Sequence, residues 1–175
     1  MAPTSVPERV LVLIRHAKSS WSTGDPDHAR PLSGRGRRDG VAAGRWLAQH
    51  GLRPDLAVVS TSTRTRETLE RLIAGGARFD RVTFADEVYD ADEHGLIDLV
   101  THADPEVRTL VLIGHNSAIE DAVRLLAQRV GNPDWWAAID EKFPTCGIAV
   151  IGFDGKWSGV RPGVGALLAY QVPRG

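Results

Sequence analysis

Arginine and histidine stand side by side at residues 15 and 16, directly behind the largely apolar run 9–14. Valine, leucine and isoleucine dominate that run, which predicts a short buried strand. A guanidinium can hold a phosphate through two parallel charge-assisted hydrogen bonds, and an imidazole beside that phosphate can attack phosphorus. Arg15 and His16 therefore indicate phosphoryl chemistry at a strand end; the alternative for an isolated pair is a surface arginine beside a structural histidine.

Two further apolar runs, 55–59 and 109–113, also end in polar residues that suit an anion. The first leads to Arg64 in the first turn of a predicted helix, where free backbone N–H groups add to the positive charge. The second leads through Gly114 to His115, which on its own fits a structural role as well as a catalytic one. Open α/β sheets bind ligands outside the carboxyl ends of their strands, so we expect the three segments to converge on one anion.

The remaining periodicity predicts the elements that position these residues. Strands are expected at 9–14, 55–59, 81–84, 109–113, 147–153 and 166–171, and helices at 33–50, 62–74, 95–101 and directly after 116. Ser33 and Asn116 are the expected N-caps of two of the helices, and Gly51 lies just past the end of the first. Helices that alternate with apolar strands predict an α/β domain with a largely parallel sheet.

The first helix carries glycine at 36, 40 and 44, which weakens its prediction because each glycine costs about 1 kcal/mol relative to alanine. Residues 1–8 contain two prolines and are expected to form a flexible lead-in. The length of 175 residues suits a single domain, which we expect over residues 9–175.

Composition narrows the possible partners. With 21 basic and 22 acidic residues the formal net charge is −1, which gives no electrostatic reason to expect nucleic acid or an anionic membrane as a partner. The single cysteine, Cys146, cannot form an internal disulfide, which fits a reducing, cytoplasmic location. No apolar stretch approaches the roughly 20 residues that span a bilayer, and we expect no secretory signal at the start of the sequence.

Several motifs together carry a family resemblance. Residues 13–21 resemble the Arg-His-Gly signature of the histidine phosphatase (phosphoglycerate mutase-like) superfamily, and the form Arg-His-Ala-Lys-Ser is similar to the SixA-type phosphohistidine phosphatase branch. Residues 30–36 resemble the next motif of that branch, and 60–68 and 114–116 resemble the blocks of the second arginine and second histidine. The resemblance covers about residues 9–152 in the right order, and it implies a three-layer αβα sandwich with a mostly parallel central sheet.

The resemblance also implies roles for the four residues singled out above. His16 would be the nucleophile, forming a phosphohistidine intermediate that water hydrolyses, and its second ring nitrogen would need an acceptor, which we expect to be a backbone carbonyl. Arg15, Arg64 and His115 would hold the phosphoryl oxygens and stabilise the charge of the transition state. The reaction implied needs no metal and no cofactor. The other histidines, at 28, 50, 94 and 102, are expected on the surface.

Two further positions are compared with the family pattern. Ser22 falls where many relatives carry an asparagine that contacts phosphate, so a shorter side chain would make that contact. Many relatives also place a general acid after the third strand, where Asp90 and Glu87 are the candidates; the alternative is a solvated acidic loop. A phosphohistidine substrate needs less help from an acid, because a protonated imidazole ring leaves as a neutral base.

The resemblance therefore implies a metal-independent phosphatase acting through His16, with phosphohistidine on a protein as the expected substrate. Two alternatives stay open: a small-molecule phosphomonoesterase of the same superfamily, and a non-catalytic phosphate-binding module. The expected partners are a phosphorylated protein or a small phosphorylated molecule, with neither nucleic acid nor a membrane among them. The oligomeric state is not predicted.

Overall fold

A seven-stranded mixed sheet forms the centre of residues 6–175, the part of the chain that the computed structural model describes. Its strands are β1 (Arg9–Arg15), β2 (Leu56–Ser60), β3 (Arg81–Ala85), β4 (Thr109–Gly114), β5 (Ala127–Gln128), β6 (Ile148–Phe153) and β7 (Gly165–Gln171). They lie in the order β3-β2-β4-β1-β6-β7-β5. The first four strands of that order are parallel, β6 is antiparallel to both its neighbours, and β5 is parallel to β7.

Within the described residues, six α-helices cover the two faces of this sheet. They are α1 (Gly34–Gln49), α2 (Thr63–Ala74), α3 (Asp86–Asp90), α4 (Glu93–Thr101), α5 (Ala118–Leu126) and α6 (Pro133–Glu141). Successive side chains of a strand point to opposite faces, so Val12 and Ile14 pack with α1 and α2 while Leu11 and Leu13 pack with α3 to α6. The predicted three-layer αβα sandwich with a mostly parallel sheet is confirmed. No helix within residues 6–175 is long and apolar enough to cross a membrane.

The two predicted helix N-caps have different outcomes. Ser33 caps α1 as expected, accepting a hydrogen bond from the Gly36 amide at 3.1 Å. The prediction of Asn116 as an N-cap is wrong: Ser117 holds that position, while the Asn116 side chain donates to the Phe143 carbonyl oxygen at 3.1 Å. The expected lead-in at 1–8 lies largely outside the described residues, which begin at 6. A single domain over 9–175 stays a prediction.

The glycines of α1 lie where other backbone segments come close. A Cβ on Gly36 would meet the Lys18 carbonyl oxygen at 2.0 Å, in the loop that follows β1. A Cβ on Gly44 would meet the Leu72 carbonyl oxygen of α2, also at 2.0 Å. The intrinsic cost of glycine in a helix is therefore offset by closer packing of α1 on α2 and on the loop that leads away from β1.

Gly44→Ala is expected to lower the free energy of unfolding by about 1–3 kcal/mol, because a methyl group there forces α1 away from the α2 backbone. Urea denaturation measures this loss. Gly34→Ala is the matched control, since its nearest contact would be the flexible end of Arg38 at 3.8 Å, and it should change stability by less than about 0.5 kcal/mol. Equal effects of the two substitutions would contradict the packing argument.

Candidate active site

The parallel neighbours β1 and β4 bring the two predicted histidines together. Arg15 is in register with Gly114 at the carboxyl ends of these strands, and the His16 amide donates to the Gly114 carbonyl oxygen at 2.9 Å. Each histidine directly follows its strand, and the ring centroids of His16 and His115 are 5.3 Å apart. The sheet topology therefore places the two imidazoles side by side, at the edge where α/β proteins bind ligands.

The ring of His16 is oriented by a backbone carbonyl. Its Nδ1 lies 2.7 Å from the Ala17 carbonyl oxygen. Because a carbonyl only accepts, Nδ1 must carry the hydrogen, and Nε2 keeps its lone pair in the neutral ring. The Ala17 amide in turn donates to Thr68 Oγ1 at 3.0 Å, and that hydroxyl donates to the Arg64 carbonyl oxygen at 2.7 Å. The loop behind His16 is thus fixed to α2, and Nε2 is available as a nucleophile.

Both imidazoles are held in the neutral form. The pKa of His16 is lowered to about 3, mainly by burial and also by the neighbouring His115, Arg64 and Arg15, against the raising effect of the hydrogen bond to the Ala17 carbonyl oxygen. Burial also lowers the pKa of His115 to about 4, with Arg64 as the next cause. Near neutral pH both rings are therefore uncharged, which is the state in which His16 can attack phosphorus.

These pKa shifts predict a loss of stability in acid. A histidine of the unfolded chain titrates near pH 6.5, so as the pH falls below that value the unfolded chain takes up protons before His16 and His115 do in the folded protein. We expect the free energy of unfolding to fall by about 2 kcal/mol per histidine between pH 7 and pH 5. Urea denaturation at several pH values measures the slope. The double variant His16→Gln/His115→Gln should show a flatter profile, and an unchanged slope would contradict the assignment.

Arg64 and Arg15 bring two guanidinium groups to the same edge. Arg64 lies in the first turn of α2, is 6% exposed, and donates from Nη1 to the Asp27 carbonyl oxygen at 2.7 Å and from Nη2 to Asp27 Oδ2 at 3.1 Å. Arg15 donates from Nη1 to the Phe143 carbonyl oxygen at 2.8 Å, and burial lowers its pKa. These bonds fix the direction in which each guanidinium plane faces.

Three nitrogens of this cluster are buried without a hydrogen-bond partner among residues 6–175: Nε of Arg15, Nε of Arg64 and Nδ1 of His115. The other ring nitrogen of His115, Nε2, lies 2.8 Å from Ser60 Oγ. When the Ser60 hydroxyl donates to that nitrogen, Nδ1 of the neutral ring carries the hydrogen. Buried polar groups are nearly always paired, which makes these three nitrogens candidate donors to the oxygens of a bound phosphoryl group.

Asp27 and Tyr89 complete the rim of the cluster, and sequence reasoning missed both. The Tyr89 hydroxyl donates to Asp27 Oδ2 at 2.6 Å, and the Tyr89 ring stands perpendicular to His115 with centroids 5.4 Å apart. His28 also packs on the Tyr89 ring, with centroids 4.7 Å apart. It is exposed, as expected, but it also belongs to this rim. The only sequence signals were a polar loop around Asp27 and the position of Tyr89 next to Asp90.

The structure does not bring Asp90, Glu87 or Ser22 into the cluster. Asp90 and Glu87 line a cavity of about 590 Å³ between α3 and α4. The side chain of Ser22 is exposed and lies within hydrogen-bond distance of Ser20 Oγ, at 2.9 Å. Consecutive residues of a helix point about 100° apart, so on the short α3 it is Tyr89 that turns towards His115 while Asp90 turns away. No group of His, Cys, Asp and Glu side chains within 6–175 is arranged to hold a metal ion.

The chain is similar to several known proteins. The model of the histidine phosphatase superfamily (branch 1) matches residues 11–89. An uncharacterized protein of Mycobacterium tuberculosis is 38% identical over 163 residues, which cover 92% of this chain and 100% of that protein. A structure from Nakamurella multipartitia, assigned as a phosphohistidine phosphatase SixA, superposes with a TM-score of 0.80 at 29% sequence identity. The match covers 96% of this chain and 99% of that one. A structure with the same assignment from Agrobacterium tumefaciens has a TM-score of 0.76 at 27% identity, covering 95% and 99%.

Proposed function

Since the chain belongs to the histidine phosphatase superfamily, we propose that it is a phosphatase that works through a phosphohistidine intermediate on His16 and acts on phosphohistidine in proteins. The observation that carries this proposal is the hydrogen bond from His16 Nδ1 to the Ala17 carbonyl oxygen. It leaves the Nε2 lone pair free beside His115 and two guanidinium groups. The likeness to structures assigned as SixA supports the choice of substrate.

In the first step, His16 Nε2 attacks phosphorus and forms a P–N bond while the bond from phosphorus to the leaving group breaks. In the second step, water attacks phosphorus from the side that the leaving group has vacated. The P–N bond then breaks and its electron pair returns to Nε2. Because Nδ1 keeps its hydrogen, bonded to the Ala17 carbonyl oxygen, His16 departs as a neutral imidazole, and inorganic phosphate is the product.

The cations and His115 stabilise the charge that builds up on the phosphoryl oxygens. A loose phosphoryl transition state spreads that charge over three oxygens, and the nitrogens without partners on Arg15, Arg64 and His115 supply one donor for each. Their positions are fixed by the bonds to Phe143, Asp27 and Ser60, so little reorganisation accompanies the reaction. This is the arrangement in which electrostatic catalysis is most effective.

The site lies open on the leaving-group side. Between α2 and β4 the chain contributes only one strand and two short helices, β3, α3 and α4, and Asp27 at the rim has a side chain that is 53% exposed. A phosphorylated side chain presented by another protein can therefore reach His16 without the opening of a lid. This supports a protein substrate over a small one.

The test combines a substrate panel with trapping of the intermediate. Phosphate release is measured from a phosphohistidine peptide, a phosphoserine peptide, 3-phosphoglycerate and p-nitrophenyl phosphate. We expect kcat/KM for phosphohistidine to exceed that for phosphoserine by about 100-fold, the range that leaving-group protonation supplies. Acid quenching would destroy a phosphohistidine, so labelled protein is trapped at alkaline pH, where we expect one labelled site.

The other outcomes overturn the proposal in distinct ways. Faster turnover of 3-phosphoglycerate than of phosphohistidine would make the protein a small-molecule phosphomonoesterase. Binding of inorganic phosphate with neither turnover nor label would make it a phosphate-binding module. Turnover with label on a residue other than His16 would preserve the activity and refute the mechanism.

A further inference from the structure

Tyr89 lies at the rim of the site, where its ring packs on His115 and its hydroxyl is hydrogen-bonded to Asp27. Its ring contacts two histidines in edge-on arrangements, with centroid distances of 5.4 Å to His115 and 4.7 Å to His28. The strand ends close the inner side of the site around His16, which is 7% exposed. In-line attack places the leaving group on the side of phosphorus opposite to His16. A leaving group on another protein must lie towards solvent, and Asp27 and His28, the exposed residues of this cluster, both contact Tyr89.

Asp27 fixes both the orientation and the hydrogen of the Tyr89 hydroxyl. The carboxylate accepts from Tyr89 through Oδ2, and it is anchored by Arg64 at 3.1 Å and Arg30 at 3.2 Å, whose side chains are 7% and 8% exposed. The Tyr89 hydrogen bond, followed by Arg64 and Arg30, holds the pKa of Asp27 far below its usual range, and Asp27 raises the pKa of Tyr89. The phenol hydrogen is therefore committed to Asp27, so towards a ligand the phenol oxygen can act only as an acceptor.

The Tyr89 oxygen offers the leaving group a hydrogen-bond acceptor rather than a proton donor. An alkyl phosphate leaves as an alkoxide and needs a proton donor. A phosphohistidine leaves as a neutral imidazole when its distal ring nitrogen is protonated. The distal N–H of the protonated ring is a charge-assisted hydrogen-bond donor that needs an acceptor. An oxygen polarised by a carboxylate stabilises the protonated ring and contributes nothing to the departure of an alkoxide.

Resting on the proposed function, we propose that Tyr89, polarised by Asp27, accepts a hydrogen bond from the distal N–H of the leaving imidazole and so selects phosphohistidine over phosphate esters. His16 Nε2 bonds to phosphorus as the substrate P–N bond breaks, and the electron pair of that bond goes to the substrate ring. The distal nitrogen keeps its proton throughout, and no proton passes to Tyr89. Asp27 acts through Tyr89 and is a positioning residue for it.

Tyr89→Phe tests this inference because it removes one oxygen and keeps the ring that packs on His115. We expect kcat/KM for a phosphohistidine peptide to fall by about 30-fold, the range of one hydrogen bond to a charged group. For p-nitrophenyl phosphate, whose leaving group has no N–H and needs no proton, kcat/KM should change by less than about 3-fold. The ratio kcat/KM reports phosphoryl transfer to His16, so it is independent of the hydrolysis step that both substrates share.

The pH profile and two controls separate this role from a structural one. With saturating phosphohistidine peptide, the single-turnover rate should decline at higher pH as the bound substrate ring loses its proton, and Tyr89→Phe should move that decline to lower pH. Inhibition by inorganic phosphate, which has no leaving group, should be unchanged in Tyr89→Phe. Tyr170→Phe is the matched control: its hydroxyl lies 3.4 Å from the Lys142 carbonyl oxygen, away from the rim, so both substrates should be unaffected.

Equal losses on the two substrates, or no loss on either, would overturn the role of Tyr89 while leaving the phosphatase proposal intact. Failure of the wild-type protein to release phosphate from the phosphohistidine peptide would instead refute the proposed function itself.

Discussion

Replacing His16 by glutamine is expected to lower kcat/KM for both phosphohistidine peptide and p-nitrophenyl phosphate by at least about 10⁴-fold, as loss of a covalent nucleophile does. Glutamine has no basic nitrogen and cannot form the P–N bond. Labelling of the protein by a phosphorylated substrate should disappear in parallel. Initial-rate kinetics and alkaline gel trapping measure the two effects.

The loss should not come from unfolding. His16 is buried with its pKa lowered to about 3, so removing the imidazole relieves a cost of burial in acid. His94→Gln is the matched control, since that ring is 73% exposed and lies on α4, outside the cluster; it should keep wild-type kinetics. Retention of label by His16→Gln would identify a different nucleophile and would refute the mechanism.

The strands that position the site could be predicted from the sequence with small errors at their ends. β1 was expected at 9–14 and spans Arg9–Arg15, and β4 was expected at 109–113 and spans Thr109–Gly114. These strands are buried on both faces, so they are continuous apolar runs and give a strong signal. Because a parallel sheet aligns the carboxyl ends of such strands, the meeting of His16 with His115 followed from the same pattern.

The rim of the site could not be predicted because its residues meet through loop conformation. Asp27 and Tyr89 are 62 positions apart, and Asp27 lies in a short 3₁₀ turn that no hydrophobic periodicity marks. α3 has five residues, too few for a pattern to show which side faces the sheet. A one-position difference on such a helix separates Asp90, which lines the cavity beside α4, from Tyr89, which packs on His115.

Helix α6 was missed for a related reason. Pro133 and Asn132 give it a start signal, with the Asn132 side chain accepting from the Asp134 amide at 2.9 Å. Its nine residues bury only Trp136 and Ile139, which is too few apolar positions to show helical spacing. Elements that contribute few residues to the core give a weak hydrophobic pattern in the sequence, whereas the strands that contribute most of the core give a strong one.

Arg64→Ala is expected to lower kcat/KM for p-nitrophenyl phosphate by about 10³-fold, because it removes a buried, oriented cation from the phosphoryl site. Arg64→Lys should recover less than about tenfold of this loss, since a single ammonium cannot bond Asp27 through two nitrogens and also present a third to phosphate. Inorganic phosphate should inhibit both variants more weakly, with a higher inhibition constant. Arg66→Ala is the control two positions further along α2: its Nε donates to the Thr61 carbonyl oxygen and its guanidinium stacks on Phe84 at 4.1 Å, so kcat/KM should change by less than about 3-fold. Wild-type affinity for phosphate in Arg64→Ala would show that the guanidinium serves only to hold Asp27.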